Sequence, residues 1–389
     1  MNIREKVILK DFTVLLVCPS LKWSTLERRV LFDSVFLRNL GCNPVVLCVK
    51  GSQIDIEMEA EDISRVYLNN KINYYFGAPF LLELRKLILE NRFDLIHCYS
   101  LSSTWFSAIV LGTRHEVPLF LTYNQNFSNA PSSIFAKWLL RRVDYIFTLS
   151  GEVEDFVKEN FPIPAKKVRT LGVGVEVNTK KISLKNKKTT KIGCVVDSLS
   201  GGNDLHFPIK AFRLLKNSSE GIWDSIELNL FLGPKIYESE KGKEALAELD
   251  HEFYKGDLHL IHKRGNLAKI KELDIFFGTA FNEPVNDYEI AALLHGVPVL
   301  FPRTAMRQSI LHVYTGVGES YFQDDHREVR VKLLKMLSDL TGYRKNLKKV
   351  ISDISLNHGL DFYADEFQKF YEMAYLKRLR IKHKKSRKG

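Results

Sequence analysis

Asp274-Ile-Phe-Phe-Gly-Thr-Ala-Phe-Asn-Glu283, followed by Tyr288 to His295 and then Gly296-Val-Pro298-Val-Leu300, decides how this 389-residue chain is read. The apolar run at its start is too short for a helix and rich in aromatic and β-branched residues, which marks a buried strand. The loop after it brings the Glu283 carboxylate to the strand's carboxyl end. A helical stretch, a tight glycine turn and a second apolar run follow. A strand joined through a helix to another strand makes a parallel pair.

The same alternation extends in both directions. Buried parallel strands are predicted at 13–18, 44–49, 95–97, 119–122, 145–149 and 168–171, with helices at 25–40, 80–91, 132–142 and 152–160. A lysine-rich stretch interrupts the pattern. It resumes with strands at 192–196, 226–232, 258–262, 275–278 and 297–301 and a helix at 208–216. The expectation is an α/β protein of two doubly wound parallel-sheet domains, with ligand bound in a central cleft at the carboxyl ends of the strands. The predicted domains are 1–178, a lysine-rich linker at 179–191, a second domain at 192–360, an amphipathic helix at 361–381 and a basic tail at 382–389.

Charge is concentrated rather than spread. The formal net charge is +11, from 57 Lys and Arg against 46 Asp and Glu. Residues 376–389 contribute +8 and residues 179–191 contribute +6, both without an acid, so the other 362 residues sum to −3. Apolar content of 45% and charged content of 26% exclude collagen-like, disordered and disulfide-scaffold classes. The five cysteines, Cys18, Cys42, Cys48, Cys98 and Cys194, are odd in number and lack CxxC spacing. They read as buried thiols of a reducing compartment. No signal-peptide core precedes the first strand, and the apolar runs are too short to span a bilayer. A cytoplasmic location is expected, with peripheral attachment to the inner face of the membrane through the basic tail as a further expectation. No nucleic-acid-binding module accompanies that tail, so nucleic acid is not the expected partner.

The stretch quoted first resembles the signature of retaining two-domain (GT-B) glycosyltransferases of family 4. In that family an acidic residue opens the strand, a glutamate follows nine positions on and a second glutamate eight later, and the helix ends in Gly-x-Pro-Val. Asp274, Glu283, Gly296 and Pro298 fall in register, while the second glutamate position is Ala291. Phe93-Asp-Leu-Ile-His97, Val143-Asp-Tyr-Ile-Phe-Thr-Leu-Ser150, Lys167-Val-Arg-Thr-Leu-Gly-Val-Gly174-Val-Glu176 and Trp23-Ser-Thr-Leu-Glu27-Arg28 are similar to further family segments in the right order.

The resemblance implies a GT-B fold whose two Rossmann-like domains bind acceptor and donor respectively. It implies a nucleotide-sugar donor, a glycan or lipid-linked acceptor, and no metal or other cofactor. Glu283 would hydrogen-bond the donor sugar. His97 would be a general base or a pocket-lining donor, or else a histidine satisfied within the core. Ser24, Thr25 and Gly174 would lie along the donor site. The family's phosphate-clamping arginine and lysine correspond to Ser198 and Asn203, which carry no charge, and Asn124 stands where a histidine is frequent. Arg303 and Arg307, after the Pro298 strand, are the candidates to replace the clamp, the alternative being surface arginines. Gly201-Gly202 would let backbone amides approach an anion. Glu289 lies two residues from the empty glutamate position and therefore on nearly the opposite helix face. With these departures, a non-catalytic GT-B subunit that binds a glycan or partner enzyme is the alternative to an active transferase, and a protein acting only through its basic tail is a distant one.

Overall fold

The computed structural model describes residues 9–68, 78–112, 116–123, 133–175, 189–196, 205–217, 225–250, 257–262, 267–281 and 286–386. The chain divides into two compact units, Met1–Leu171 with Ala364–Gly389 and Gly172–Tyr363.

The first unit is built on a seven-stranded sheet. Its strands are β1 (Thr13–Val17), β2 (Asn43–Leu47), β3 (Ser64–Val66), β4 (Leu95–Cys98), β5 (Leu119–Tyr123), β6 (Tyr145–Thr148) and β7 (Val168–Thr170). They lie in the order β3-β2-β1-β4-β5-β6-β7, and every pairing is parallel. The winding reverses between β1 and β4, the switch point of a doubly wound sheet. Central strands are buried throughout, as in β5 from Leu119 to Tyr123, which explains their unbroken apolar runs.

The second unit carries β8 (Thr190–Val196), β9 (Ile226–Leu232), β10 (Leu258–His262), β11 (Ile275–Phe277), β12 (Val299–Pro302) and β13 (Gly318–Tyr321). Their order is β10-β9-β8-β11-β12-β13, again all parallel, with the switch between β8 and β11. Ile192, Cys194, Phe212, Leu230, Phe277 and Tyr321 are among its core. Thr190 and Lys191, placed by the sequence in the linker, belong to β8 and pair with Ile226 and Glu227. The rest of that linker up to residue 188 lies outside the described residues. Within this unit Gly172, with φ +70°, packs where a Cβ would come 2.2 Å from the Asn357 carbonyl oxygen. The neighbouring Val175 exchanges backbone hydrogen bonds with His358 and Leu360.

Helices begin where strands end, and their first residues cap them. Ser24, Ser100, Ser150, Asn286 and Thr304 each accept a backbone N–H of the following first turn.

The expected helix at 361–381 is longer, Leu360–Ser386, and from Ala364 it is part of the first unit. Its apolar residues complete that unit's core. Phe367 packs edge-on against Phe36, Phe370 lies against Tyr145 and Phe147, and Tyr375 meets Phe12 edge-on. Two cations of the basic stretch 376–389 are engaged. Arg378 Nε donates to Asp94 at 2.8 Å, and Lys377 Nζ to Asp144 at 3.1 Å. The residues 387–389 lie outside the described residues. Among the described residues no helix is long and apolar enough to cross a membrane.

Candidate functional site

The stretch around β11 forms a tightly tied corner of the second unit. Asp274, buried at the amino end of β11, accepts from the Lys191 backbone N–H at 2.9 Å and is paired with Arg344, which fixes where the strand starts. At the carboxyl end, Gly278 N–H donates to Leu300 and the Tyr321 hydroxyl donates to the Gly278 carbonyl at 2.7 Å. A Cβ on Gly278 would lie 2.5 Å from Glu289 Oε1, so only glycine leaves room for that carboxylate.

Glu289 is the third residue of helix Asp287–Leu294, and its Oε2 accepts the Asn286 backbone N–H at 3.1 Å in a capping box. Arg307 Nε donates to Glu289 Oε1 and Oε2 at 3.1 and 2.9 Å, and Arg307 Nη2 donates to the Ala280 carbonyl at 2.8 Å. Both side chains are completely buried. One guanidinium thus ties the loop leaving β11 to the first turn of the following helix. The chain therefore enters residue 282 from a fixed Phe281 and resumes at a capped Asn286. Glu283 itself lies outside the described residues, as do Ser198, Asn203, Gly201, Gly202, Asn124 and Glu176.

Arg307 is therefore corrected from a candidate phosphate clamp to a buried scaffold residue. Its side chain has no exposure, and its guanidinium is spent on a carboxylate and a carbonyl. Arg303 is also engaged: it donates to Glu328 Oε1 at 2.9 Å, and its guanidinium lies 3.7 Å from the centre of the Phe322 ring. Ala291 is fully buried.

In the first unit His97 is corrected in the same way. It lies in β4 with no exposure, and neither nitrogen is available to a substrate. Nδ1 is 2.7 Å from the Tyr371 hydroxyl, and Nε2 is 2.8 Å from Thr122 Oγ1. A neutral ring donates from one nitrogen and accepts at the other. Burial pushes its pKa down from 6.5 to about 3, which keeps it neutral. The ring stacks on Tyr99, whose hydroxyl donates to the buried Asp33 at 2.6 Å. Tyr371 belongs to the C-terminal helix, so His97 is a fastening for that helix and not a general base.

Ser24 and Thr25 stand at the amino end of helix Thr25–Asn39, directly after β1. The Ser24 hydroxyl donates to Glu27 Oε2 at 2.5 Å, and Thr25 Oγ1 accepts from Arg28 at 3.3 Å. Gly174, with φ +65°, lies in the segment after β7. Arg307 lies with the β11 corner in the second unit, which also holds Gly174, while His97, Ser24 and Thr25 belong to the first unit. The sequence names Glu289 and Arg307 but not their pairing with each other, and it does not single out Tyr321. The Asn286-x-x-Glu289 capping pattern is the one local signal, and it concerns Glu289 alone. Among the described residues no group of three His, Cys, Asp or Glu side chains is placed to hold a metal ion.

Residues 27–179 match the sequence model of Glycosyltransferase Family 4. Between 92% and 94% of the chain superposes on solved glycosyltransferases. HepE of Anabaena, in complex with UDP and glucose, is 14% identical over 92% of this chain and 99% of its own, with a TM-score of 0.67. A glycosyltransferase of Rickettsia africae is 16% identical over 94% and 98%, with a TM-score of 0.67. Sucrose-phosphate synthase of Thermosynechococcus elongatus is 12% identical over 94% and 99%, with a TM-score of 0.64. The fold is GT-B. No curated protein matches the chain by sequence. In GT-B terms, the β11 corner belongs to the second Rossmann-like unit, the one that the family resemblance assigns to the donor.

Proposed function

We propose that this chain is a glycosyltransferase that moves a sugar from a nucleotide-sugar donor to a glycan or lipid-linked acceptor, with retention at the anomeric carbon. The observation that carries this reading is the tied corner at the carboxyl end of β11, where Arg307, Glu289 and Tyr321 fix the chain on the approach to Glu283. Preorganisation of this kind suits a carboxylate that must meet a donor sugar with little reorganisation. HepE, which shares the fold, is solved with UDP and with UDP-glucose, which makes UDP-sugars the first donors to test.

With His97 inside the core, a front-face transfer is the consistent chemistry. The bond from the anomeric carbon to the diphosphate oxygen breaks, the acceptor hydroxyl oxygen bonds to the same face, and its proton passes to the departing phosphate. Glu283 holds the sugar during this exchange and forms no covalent intermediate.

Calorimetry against a panel of nucleoside diphosphates, followed by a transfer assay with the product anomer read by NMR, tests the reading. Binding of one diphosphate and a drop of roughly ten- to hundred-fold in kcat/KM for Glu283→Gln are expected, the range of a lost charged hydrogen bond. No binding at millimolar nucleotide would instead support a non-catalytic subunit that binds a glycan or partner enzyme. That second reading is favoured by one observation: the two arginines that stood to replace the phosphate clamp are both committed to carboxylates.

A further inference from the structure

The helix Ile134–Leu140 of the first unit is inverted in character relative to its neighbours. Leu139 and Leu140 face inward and are buried, whereas Ile134 is 87% exposed, Phe135 59% and Trp138 56%. Phe135 and Trp138 stack on each other with ring centroids 6.0 Å apart. Three large apolar side chains thus stand in water on two turns of helix, flanked by the exposed cations Lys137 and Arg141. From Val117 to Val143 the sequence contains no acidic residue.

We propose that this helix is a docking element that inserts its aromatic edge into an anionic lipid bilayer. An apolar wedge containing tryptophan, ringed by lysine and arginine and free of acids, matches the interfacial boundary of such a membrane in shape and in charge. The cations sit where lipid phosphates would lie once the wedge is buried. A protein partner fits less well, because a stable interface needs about 800 Å² and twenty or more residues on each side. Seven helical residues present only a fraction of that. The surface is distinct from the basic stretch 376–389, two of whose cations are already paired within the first unit. The proposal also stands apart from sugar transfer, since it concerns where the first unit sits and not what it catalyses.

Sedimentation of the full chain with vesicles of phosphatidylcholine mixed with phosphatidylglycerol, and with phosphatidylcholine alone, tests it. Binding to the anionic vesicles is expected. Ile134→Ser/Phe135→Ser/Trp138→Ser should weaken it at least tenfold by removing the insertable apolar area. Lys137→Glu/Arg141→Glu should weaken it by about fivefold or more for each cation. Vesicles should shift the tryptophan emission to shorter wavelength, and Trp138→Phe should abolish most of that shift while binding persists. All these side chains are exposed, so unchanged thermal midpoints check that the variants fold. The proposal is overturned if the full chain ignores anionic vesicles, or if the triple variant binds them as well as the parent while deletion of residues 382–389 abolishes binding. It is equally overturned if the triple variant only turns a dimer into a monomer.

Discussion

His97 shows how one residue's environment decides its chemistry. A histidine at the end of a parallel strand invites a catalytic role, yet here both nitrogens are occupied and its pKa is lowered by burial to about 3. Because the folded-state value lies below the ordinary 6.5, its contribution to stability is complete above that pH and is lost as the pH falls toward 3. Urea titrations from pH 7 to pH 4 should show a decline of about 1.4 kcal/mol per pH unit from this group below pH 6.5. His97→Asn should flatten that component. Tyr371→Phe should destabilise by about 1–3 kcal/mol, because one imidazole nitrogen is left unpaired in the core. Arg307 shows the charged case, a buried guanidinium held by a buried carboxylate. Arg307→Met strands the buried Glu289 carboxylate and should lower stability by about 3–5 kcal/mol, whereas Arg307→Met/Glu289→Leu should recover most of the loss. Chemical denaturation of the single and double variants decides whether the pair is a scaffold.

At the level of elements, the turn from β11 into helix Asp287–Leu294 depends on Gly278. Gly278→Ala drives a methyl group into Glu289 Oε1 and should disturb both the capping box and the hold on Ala280. The expected readout is a weakened Glu283-dependent kcat/KM together with faster amide exchange across 278–281, with β9 unaffected. Much of this architecture was legible in advance. Parallel strands buried on both faces leave continuous apolar runs, and those runs located β1, β2, β5, β6 and β9 to within a few residues. Helix Leu101–Leu111 escaped because it carries no charged residue and its small hydroxyl residues fall on more than one face, so no helical period stood out. β3 is only three residues long and contains Ser64 and Arg65, too little signal for a strand. The Glu289 capping box was written in the local sequence, but its partner Arg307 lies eighteen residues on in another helix. The His97–Tyr371 bond joins residues 274 apart. Pairings of that kind follow from the fold, and no local pattern announces them.

At the scale of the whole molecule, the first unit is discontinuous. Phe367, Phe370 and Tyr371 fill a core otherwise built from the first 171 residues. Burying an aromatic side chain contributes about 1.5–3 kcal/mol, so three of them approach the entire stability of an ordinary domain. A chain ending at Tyr363 should therefore lose hydrogen-exchange protection in β1, β4 and β5 while β8, β9 and β12 stay protected. Full protection in β1 and β4 after that truncation would show that the helix is an accessory. The order of synthesis then differs from the order of completion. The first unit's sheet emerges from the ribosome early but lacks its last core residues until the end of the chain is made, roughly 10–40 s later at ordinary elongation rates. The second unit is contiguous from Gly172 to Tyr363 and has all its residues sooner. During that interval an unfinished parallel sheet with an uncovered aromatic face is the species most exposed to aggregation, and the one a chaperone would hold.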